Sequence, residues 1–406
     1  MIKINNIKNI LQKDKNKILT LFDQAIVSGG NFVLALVLIR LLGLEIYGLF
    51  AMLWIGVLFA LSMHQSFITK PLMTLASDRT EGQLVNYFHT LWKIQLWSSL
   101  IVFLGILCLA NIVEITSIDW LQYVPLTGGI AICHLLQDYI KKTYFIQQKI
   151  MQPLLIDSLT YGLLFIDLMA VEYLGMTSLW NTLVLLLGSY AVSSLLFCKP
   201  LFQKDTTINS PSWLAIIKEH YHFSYWLLGT SILQWFSGNF FLVAAASTLG
   251  TIAVGAVRMS QNLVGLCHVL FLAMENIVPA EAAQHFSKNG IGYLTDYLKQ
   301  VSIKMGGLLS ILLLTMALSA SFLIQVLYGM DYAAFSYVVW GYCLLYFIVF
   351  FGYPARYYFR TIQFTKPIFF AYCLSAAFSM VAAFPLLQVW GIMGLILGLI
   401  VSQLLT

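Results

Sequence analysis

Charge is what this chain has least of. Asp, Glu, Lys and Arg make up 10% of its 406 residues, where a soluble domain carries about 25%. No water-soluble fold of that length covers a composition that is 60% hydrophobic with so few charges. A cytosolic enzyme, a secreted domain and a nucleic-acid module are thereby excluded. Cys108, Cys133, Cys198, Cys267, Cys343 and Cys373 form no CxxC pair and have no histidine at ligand spacing. They read as small apolar filler, with no metal site and no disulfide. No polar stretch is long enough to fold as a catalytic domain. The largest, 199–218, is a connector with Pro200, Asp205, Asn209 and Pro211. The first residues are too charged for a signal peptide, and no small-residue cleavage site follows the first apolar run.

What is present is apolar sequence of bilayer length, with mean hydropathy +0.84. A hydrocarbon core about 30 Å thick needs about 20 apolar residues per helix. Windows of that length fall near 20–42, 46–69, 89–112, 121–141, 152–174, 181–198, 220–246, 251–275, 303–326, 333–354, 367–386 and 390–406. They are continuously apolar, not alternating, which selects helices over a barrel. The expected fold is an all-α polytopic membrane protein with about twelve transmembrane helices.

Lysine and arginine set the expected topology. Lys3, Lys8, Lys13, Lys15 and Lys17 precede the first span, and every second loop is again basic: Lys70 and Arg79; Lys141, Lys142 and Lys149; Lys199, Lys204 and Lys218; Lys288 and Lys299; Arg356, Arg360 and Lys366. The intervening loops, near 43–46, 113–120, 175–180, 247–250, 327–332 and 387–389, hold neither residue. Positive charge stays on the cytoplasmic side. Both termini are therefore expected there, in a multi-pass protein of the cell membrane.

The chain also echoes itself. Gly30-Asn31-Phe32, Leu42-Gly43, Gly48 and Pro71 return as Gly238-Asn239-Phe240, Leu249-Gly250, Gly255 and Pro279, at offsets of 207 or 208. Lys142-Thr143-Tyr144-Phe145 before Pro153 returns as Arg356-Tyr357-Tyr358-Phe359 before Pro367, at an offset of 214. Ordered echoes at near-constant spacing indicate duplication. Six spans separate the equivalents, an even number, so both halves insert the same way round. The expected organisation is a basic segment (1–19), a six-helix bundle (20–198), a cytoplasmic connector (199–219) and a second, pseudo-symmetric six-helix bundle (220–406). Parallel repeats of this kind place a substrate path between the halves; a duplicated scaffold with no transport role is the plainer alternative.

The run from Phe22 to Ala51 resembles the opening of polysaccharide flippases of the multidrug/oligosaccharidyl-lipid/polysaccharide exporter superfamily. It carries their Arg-x-Leu-Gly-x-x-x-Tyr-Gly type of turn as Arg40-Leu41-Leu42-Gly43-Leu44-Glu45-Ile46-Tyr47-Gly48. Leu249-Gly250, Val254-Gly255, Ile277-Val278-Pro279 and Leu327-Tyr328-Gly329-Met330-Asp331-Tyr332 extend the resemblance along essentially the whole chain. The resemblance implies export of a polyprenyl-diphosphate-linked oligosaccharide to the outer leaflet, for O-antigen, capsule or a similar glycan. It implies alternating access, no enzymatic chemistry and no cofactor. Family members often carry Arg or another polar residue where Asn262 stands; here the arginine is Arg258, one turn earlier on the same face.

Such cargo needs hydrogen bonds for sugars and positive charge for a diphosphate. Arg258 lies inside the eighth span, where a charged side chain costs about 2.5–3.5 kcal/mol and so faces a cavity, finds a partner or snorkels. Its guanidinium suits bidentate phosphate contact. Arg40, near the outer end of the first span, is a second cation, with snorkelling or a pair with Glu45 as the alternative. Gln24, Ser28 and Asn31 share one face of the first span, and Thr230, Gln234 and Ser237 one face of the seventh. With Asn262, they line a cavity or serve as glue between helices. His64, His268 and Asp167 lie within spans, where an ionisable group can couple transport to H+ or Na+. Asp23, Asp157 and Glu275 lie near inner ends and are expected to be solvated. The expected partners are the bilayer, the lipid-linked glycan, a coupling ion and other glycan-assembly membrane proteins; nucleic acid is not among them. The rival readings are an ion-coupled multidrug exporter of the same superfamily and, further off, a membrane-embedded glycan polymerase or ligase. The latter wants a sizeable basic outer loop that this chain lacks.

Overall fold

The structure, a computed structural model, describes residues 2–110, 120–207, 209–364 and 366–406. No strand occurs among them, and the protein is an all-α, multi-pass membrane protein. The cause is the apolar sequence itself: in lipid each backbone must satisfy its own hydrogen bonds, and a helix does so within one segment. Eight helical stretches among the described residues are long and apolar enough to cross a membrane, the longest, Ile18–Leu75, being 58 residues.

Gly43, Gly290 and Gly391 leave helical backbone angles and divide three of the long helices. The described residues then form twelve long segments: α1 (2–42), α2 (44–75), α3 (Glu81–Ala110), α4 (Val124–Ile146), α5 (Met151–Tyr173), α6 (Leu179–Leu196), α7 (Trp213–Thr248), α8 (251–289), α9 (291–318), α10 (Ser336–Thr361), α11 (366–390) and α12 (392–404). A wide turn, Gln65–Thr69, interrupts α2. Most of the outer loop expected at 113–120 and the side chains of the N-terminal lysines lie outside the described residues.

Two boundaries differ from expectation. α7 starts at Trp213, within the connector, because the Ser212 hydroxyl accepts from the Ala215 N–H at 3.1 Å and caps the helix early. α9 stops at Leu318, where Trp340 Nε1 takes the Ala317 carbonyl at 2.9 Å; a separate helix, Ala320–Leu327, and a tight turn, Met330–Phe335, follow.

The left-handed backbone positions repeat along the chain. Gly43 (φ 80°) and Gly250 (φ 81°) are 207 residues apart, Gln148 (φ 59°) and Gln363 (φ 57°) 215, and Gly175 (φ 65°) and Gly391 (φ 55°) 216. The two glutamines close α4 and α10 identically, each followed by an N–H that reaches back five residues, Lys149 to Tyr144 and Phe364 to Phe359.

Contacts divide the chain into two units. The first holds Met1–Leu34, Leu53–Glu114 and Asp119–Ser231; the second includes Ala35–Met52 and Ile232–Thr406. In the first, Ile68, Leu72, Tyr87, Phe88, Leu91, Tyr139, Ile156 and Ile216 form a buried core at the lysine-rich end. Beside it Arg79 binds the Glu219 carboxylate at 2.6 and 2.8 Å and lies 3.8 Å over the Tyr87 ring. The connector is tied to α3 by a reciprocal pair: Asn86 Nδ2 donates to the Asp205 carbonyl, and Asp205 N–H to Asn86 Oδ1, both at 2.9 Å. Thr207 donates its hydroxyl and backbone N–H to the Asp205 carboxylate, which holds that group below the usual carboxylate range.

In the second unit the turn after α1 crosses the start of α8 with main chains in contact. A Cβ on Gly48 would overlap the Thr251 carbonyl, and one on Gly255 the Leu44 carbonyl. The contact is reciprocal because Leu44 and Thr251 occupy equivalent places, each one residue after Gly43 or Gly250. Only glycine allows so close a crossing.

Candidate functional site

Two sets of polar residues stand out, one in each unit. In the first unit α4 presents His134, Gln137, Asp138 and Lys141 at spacings of three or four, one face of a helix. They border a cavity of about 60 Å³ that Asp157, Thr160 and Tyr161 of α5 and Tyr190 of α6 complete. That volume has room for on the order of four waters. The Lys141 ammonium pairs with Asp157 and lies 3.8 Å from Asp23 of α1. Gln137 donates to Thr160 at 2.7 Å and to Ser193 at 2.8 Å, while the Tyr161 hydroxyl donates to Asn31 at 2.9 Å. His134 stacks on Tyr190 with ring centres 4.7 Å apart.

This corrects one expectation directly. Asp23 and Asp157 are not solvated at a helix end: they are 6% and 3% exposed. The reason is Lys141, which turns inward and supplies the charge that water would otherwise balance. The α4 stripe was readable by the same spacing test that singled out Gln24, Ser28 and Asn31.

In the second unit α8 carries Arg258, Gln261 and Asn262, all part-exposed, among the fully buried Val254, Val257 and Met259. Arg258 donates to Gln261 Oε1 at 2.7 Å and to Asn239 Oδ1 at 3.4 Å. Tyr342, Tyr47 and Tyr346 form its electrostatic surroundings. Among the described residues no carboxylate pairs with it, and its Nε is buried without a hydrogen-bond partner. The guanidinium is thus held in place with donors to spare and no counter-charge. Asn262 donates to the Tyr328 hydroxyl at 3.2 Å.

The remaining sequence-selected residues are distributed as follows. Gln24 and Ser28 are exposed and bonded to each other at 3.3 Å. Arg40 donates to the Leu327 and Val326 carbonyls at 2.6 and 2.5 Å, so it caps the helix Ala320–Leu327 and makes no pair with Glu45. Thr230 bonds back to the Trp226 carbonyl, and Gln234, exposed, donates to the Tyr372 hydroxyl at 3.0 Å. Ser237 is 1% exposed within a hydroxyl cluster, 2.6 Å from Ser375 and 3.2 Å from Ser402. That placement is contact between α7, α11 and α12. His64 is buried 3.7 Å from Asp138. His268 is exposed against Phe271, and Asp167 is half-buried on α5.

No protein-family model matches the sequence, and neither does any curated protein. Solved structures do match. An inward-facing multidrug resistance MATE family transporter of the MOP superfamily superposes with TM-score 0.72 at 14% identity, covering 94% of this chain and 91% of that one. The lipid II flippase MurJ, in an inward closed conformation, gives TM-score 0.71 at 12% identity, covering 96% and 85%. This chain has the MOP transporter fold. A MOP superfamily transporter from Pyrococcus furiosus, described by a reverse polarity of its binding pocket, gives TM-score 0.58 at 14% identity over 95% and 91%.

Proposed function

We propose that this MOP-fold protein is a flippase that carries a polyprenyl-diphosphate-linked oligosaccharide from the inner to the outer leaflet by alternating access, for O-antigen, capsule or a related polysaccharide. One observation carries the reading: Arg258 is held by neutral partners and lacks a carboxylate. A buried cation without a counter-ion is stabilised by an anion that arrives, and a diphosphate matches its fork. Gln261, Asn262 and Asn239 around it offer groups for sugar hydroxyls. The polyprenyl tail stays in lipid, and no covalent bond of the cargo changes, so the protein is not an enzyme. Six-helix bundles at 20–198 and 220–406, with both termini cytoplasmic, complete this reading.

A second reading has its own support. The buried Asp23 and Asp157, with part-buried Asp138, give the first unit the acidic site that an ion-coupled multidrug exporter of this fold would use. Two assays separate the readings. In a null strain, lipid-linked glycan should accumulate on the cytoplasmic leaflet and return to the outer leaflet with the wild-type gene, but not with Arg258→Ala. Normal outward exposure of the glycan in the null strain would overturn the flippase reading. Ion-driven dye efflux abolished by Asp157→Asn would favour the exporter.

A further inference from the structure

The pocket of the first unit is short of positive charge. Asp138, Asp157 and Lys141 line it, and the Lys141 ammonium pairs with Asp157 and lies 3.8 Å from Asp23. Buried carboxylates left unpaired take up protons or cations, because an isolated ion in a low-dielectric interior costs several kcal/mol. Lys141 already serves Asp157 and Asp23, which fills the place a metal ion would take on that pair. The uncompensated carboxylate is Asp138.

Asp138 Oδ2 is buried without a hydrogen-bond partner, and so are both ring nitrogens of His64. The two face each other at 3.7 Å between Nε2 and Oδ2, too far for a hydrogen bond. A single proton on the imidazole would change that. It would turn two unsatisfied buried atoms into a charge-assisted pair, which closes to about 2.7–2.9 Å. His64 also sits where α2 enters its wide turn, Gln65–Thr69, a backbone irregularity of the kind that accompanies function and permits small shifts.

The other charged and titratable groups are accounted for. From α4, His134 stacks on Tyr190 with its Nδ1 buried and unpartnered and has Asp138 in its electrostatic surroundings, but no carboxylate oxygen lies within ion-pair distance of it among the described residues. Lys141 is engaged by Asp157 of α5 and Asp23 of α1. On the α7 side, His220 donates from Nδ1 to the Phe67 carbonyl at 2.8 Å and accepts from Tyr87 at 2.6 Å.

We propose that His64 and Asp138 form a proton-binding site, with Lys141 as a tethered cation in place of a metal ion on Asp23 and Asp157. The inference rests on the transport reading for its purpose, but its test does not use transport. Ring-proton NMR of the purified full chain, with sodium or choline chloride at equal ionic strength, reads histidine protonation directly. The resonance missing in His64→Gln, or in His64→Asn if the first variant does not accumulate, should titrate as a single proton uptake. Its midpoint should be the same in both salts and should fall by about one pH unit or more in Asp138→Asn. Asp138→Glu, which keeps the carboxylate, should hold the midpoint closer to that of the wild type than Asp138→Asn does. A His64 resonance that does not titrate, a midpoint moved by sodium, or one unmoved in Asp138→Asn would each overturn the proposal. A flippase assay can fail while this titration holds, so the two claims fall separately.

Discussion

The ammonium of Lys141 is bound to the carboxylate of Asp157 inside the first unit. Removing one partner of a buried pair costs about 3–5 kcal/mol, because the other charge is left without compensation. Lys141→Met leaves Asp23 and Asp157 both unpaired, whereas Asp157→Asn leaves Lys141 with Asp23. Thermal unfolding in detergent should therefore place the melting point of Lys141→Met below that of Asp157→Asn. The reverse order would show that Lys141 is not the shared counter-ion.

The main-chain crossing in the second unit predicts a contrast between glycines. Gly255→Ala drives a methyl into the Leu44 carbonyl, and forced overpacking costs about 1–3 kcal/mol. Gly229, within α7, has open space where its Cβ would stand. Gly229→Ala should be neutral or stabilising by up to about 1 kcal/mol. Melting points read in parallel decide this; equal losses would argue against the close crossing.

Ser237 distinguishes helix contact from cargo contact. Its hydroxyl is enclosed with Ser375 and Ser402, and such interhelical bonds are worth about 0.6 kcal/mol on average. Ser237→Ala should lower the melting point slightly and leave transport unchanged, while Gln234→Ala, on the exposed part of the same face, should change transport. A transport defect from Ser237→Ala without loss of stability would reverse the assignment.

The connector is expected to loosen when its clasp is cut. Asn86→Ala removes two hydrogen bonds to Asp205, each worth about 1 kcal/mol. Trypsin should then cleave at exposed Lys204 on the order of tenfold faster. Unchanged cleavage would mean that the apolar anchor at Leu201 holds the segment alone.

Much of this architecture was legible in the sequence, because bilayer length acts on whole segments. The all-helical membrane fold followed from apolar run length, and the left-handed turns at Gly43 and Gly250 stand where the Leu-Gly echo lies. Arg258 drew notice in the sequence because an arginine inside a span is costly enough to demand a reason, and its role stands as proposed above. The charged pocket was less so. Asp23, Lys141 and Asp157 each lie near a span end, where solvation is the ordinary fate, and only tertiary packing turns all three inward. The Arg40 cap was illegible for a similar reason: its carbonyl partners at Val326 and Leu327 are nearly 300 positions away, in a helix that hydropathy merges with the preceding span.

The most direct measurement uses purified protein in vesicles loaded with a fluorescent polyprenyl-diphosphate oligosaccharide and a membrane-impermeant quencher outside. Wild-type protein should bring the fluorophore of the inner leaflet within reach of the quencher. Arg258→Ala should slow this by about 10–100-fold, the loss expected for a charge-assisted contact of 1.5–3 kcal/mol. Quenching confined to the lipid already outside, with wild-type protein folded and correctly inserted, would contradict the account.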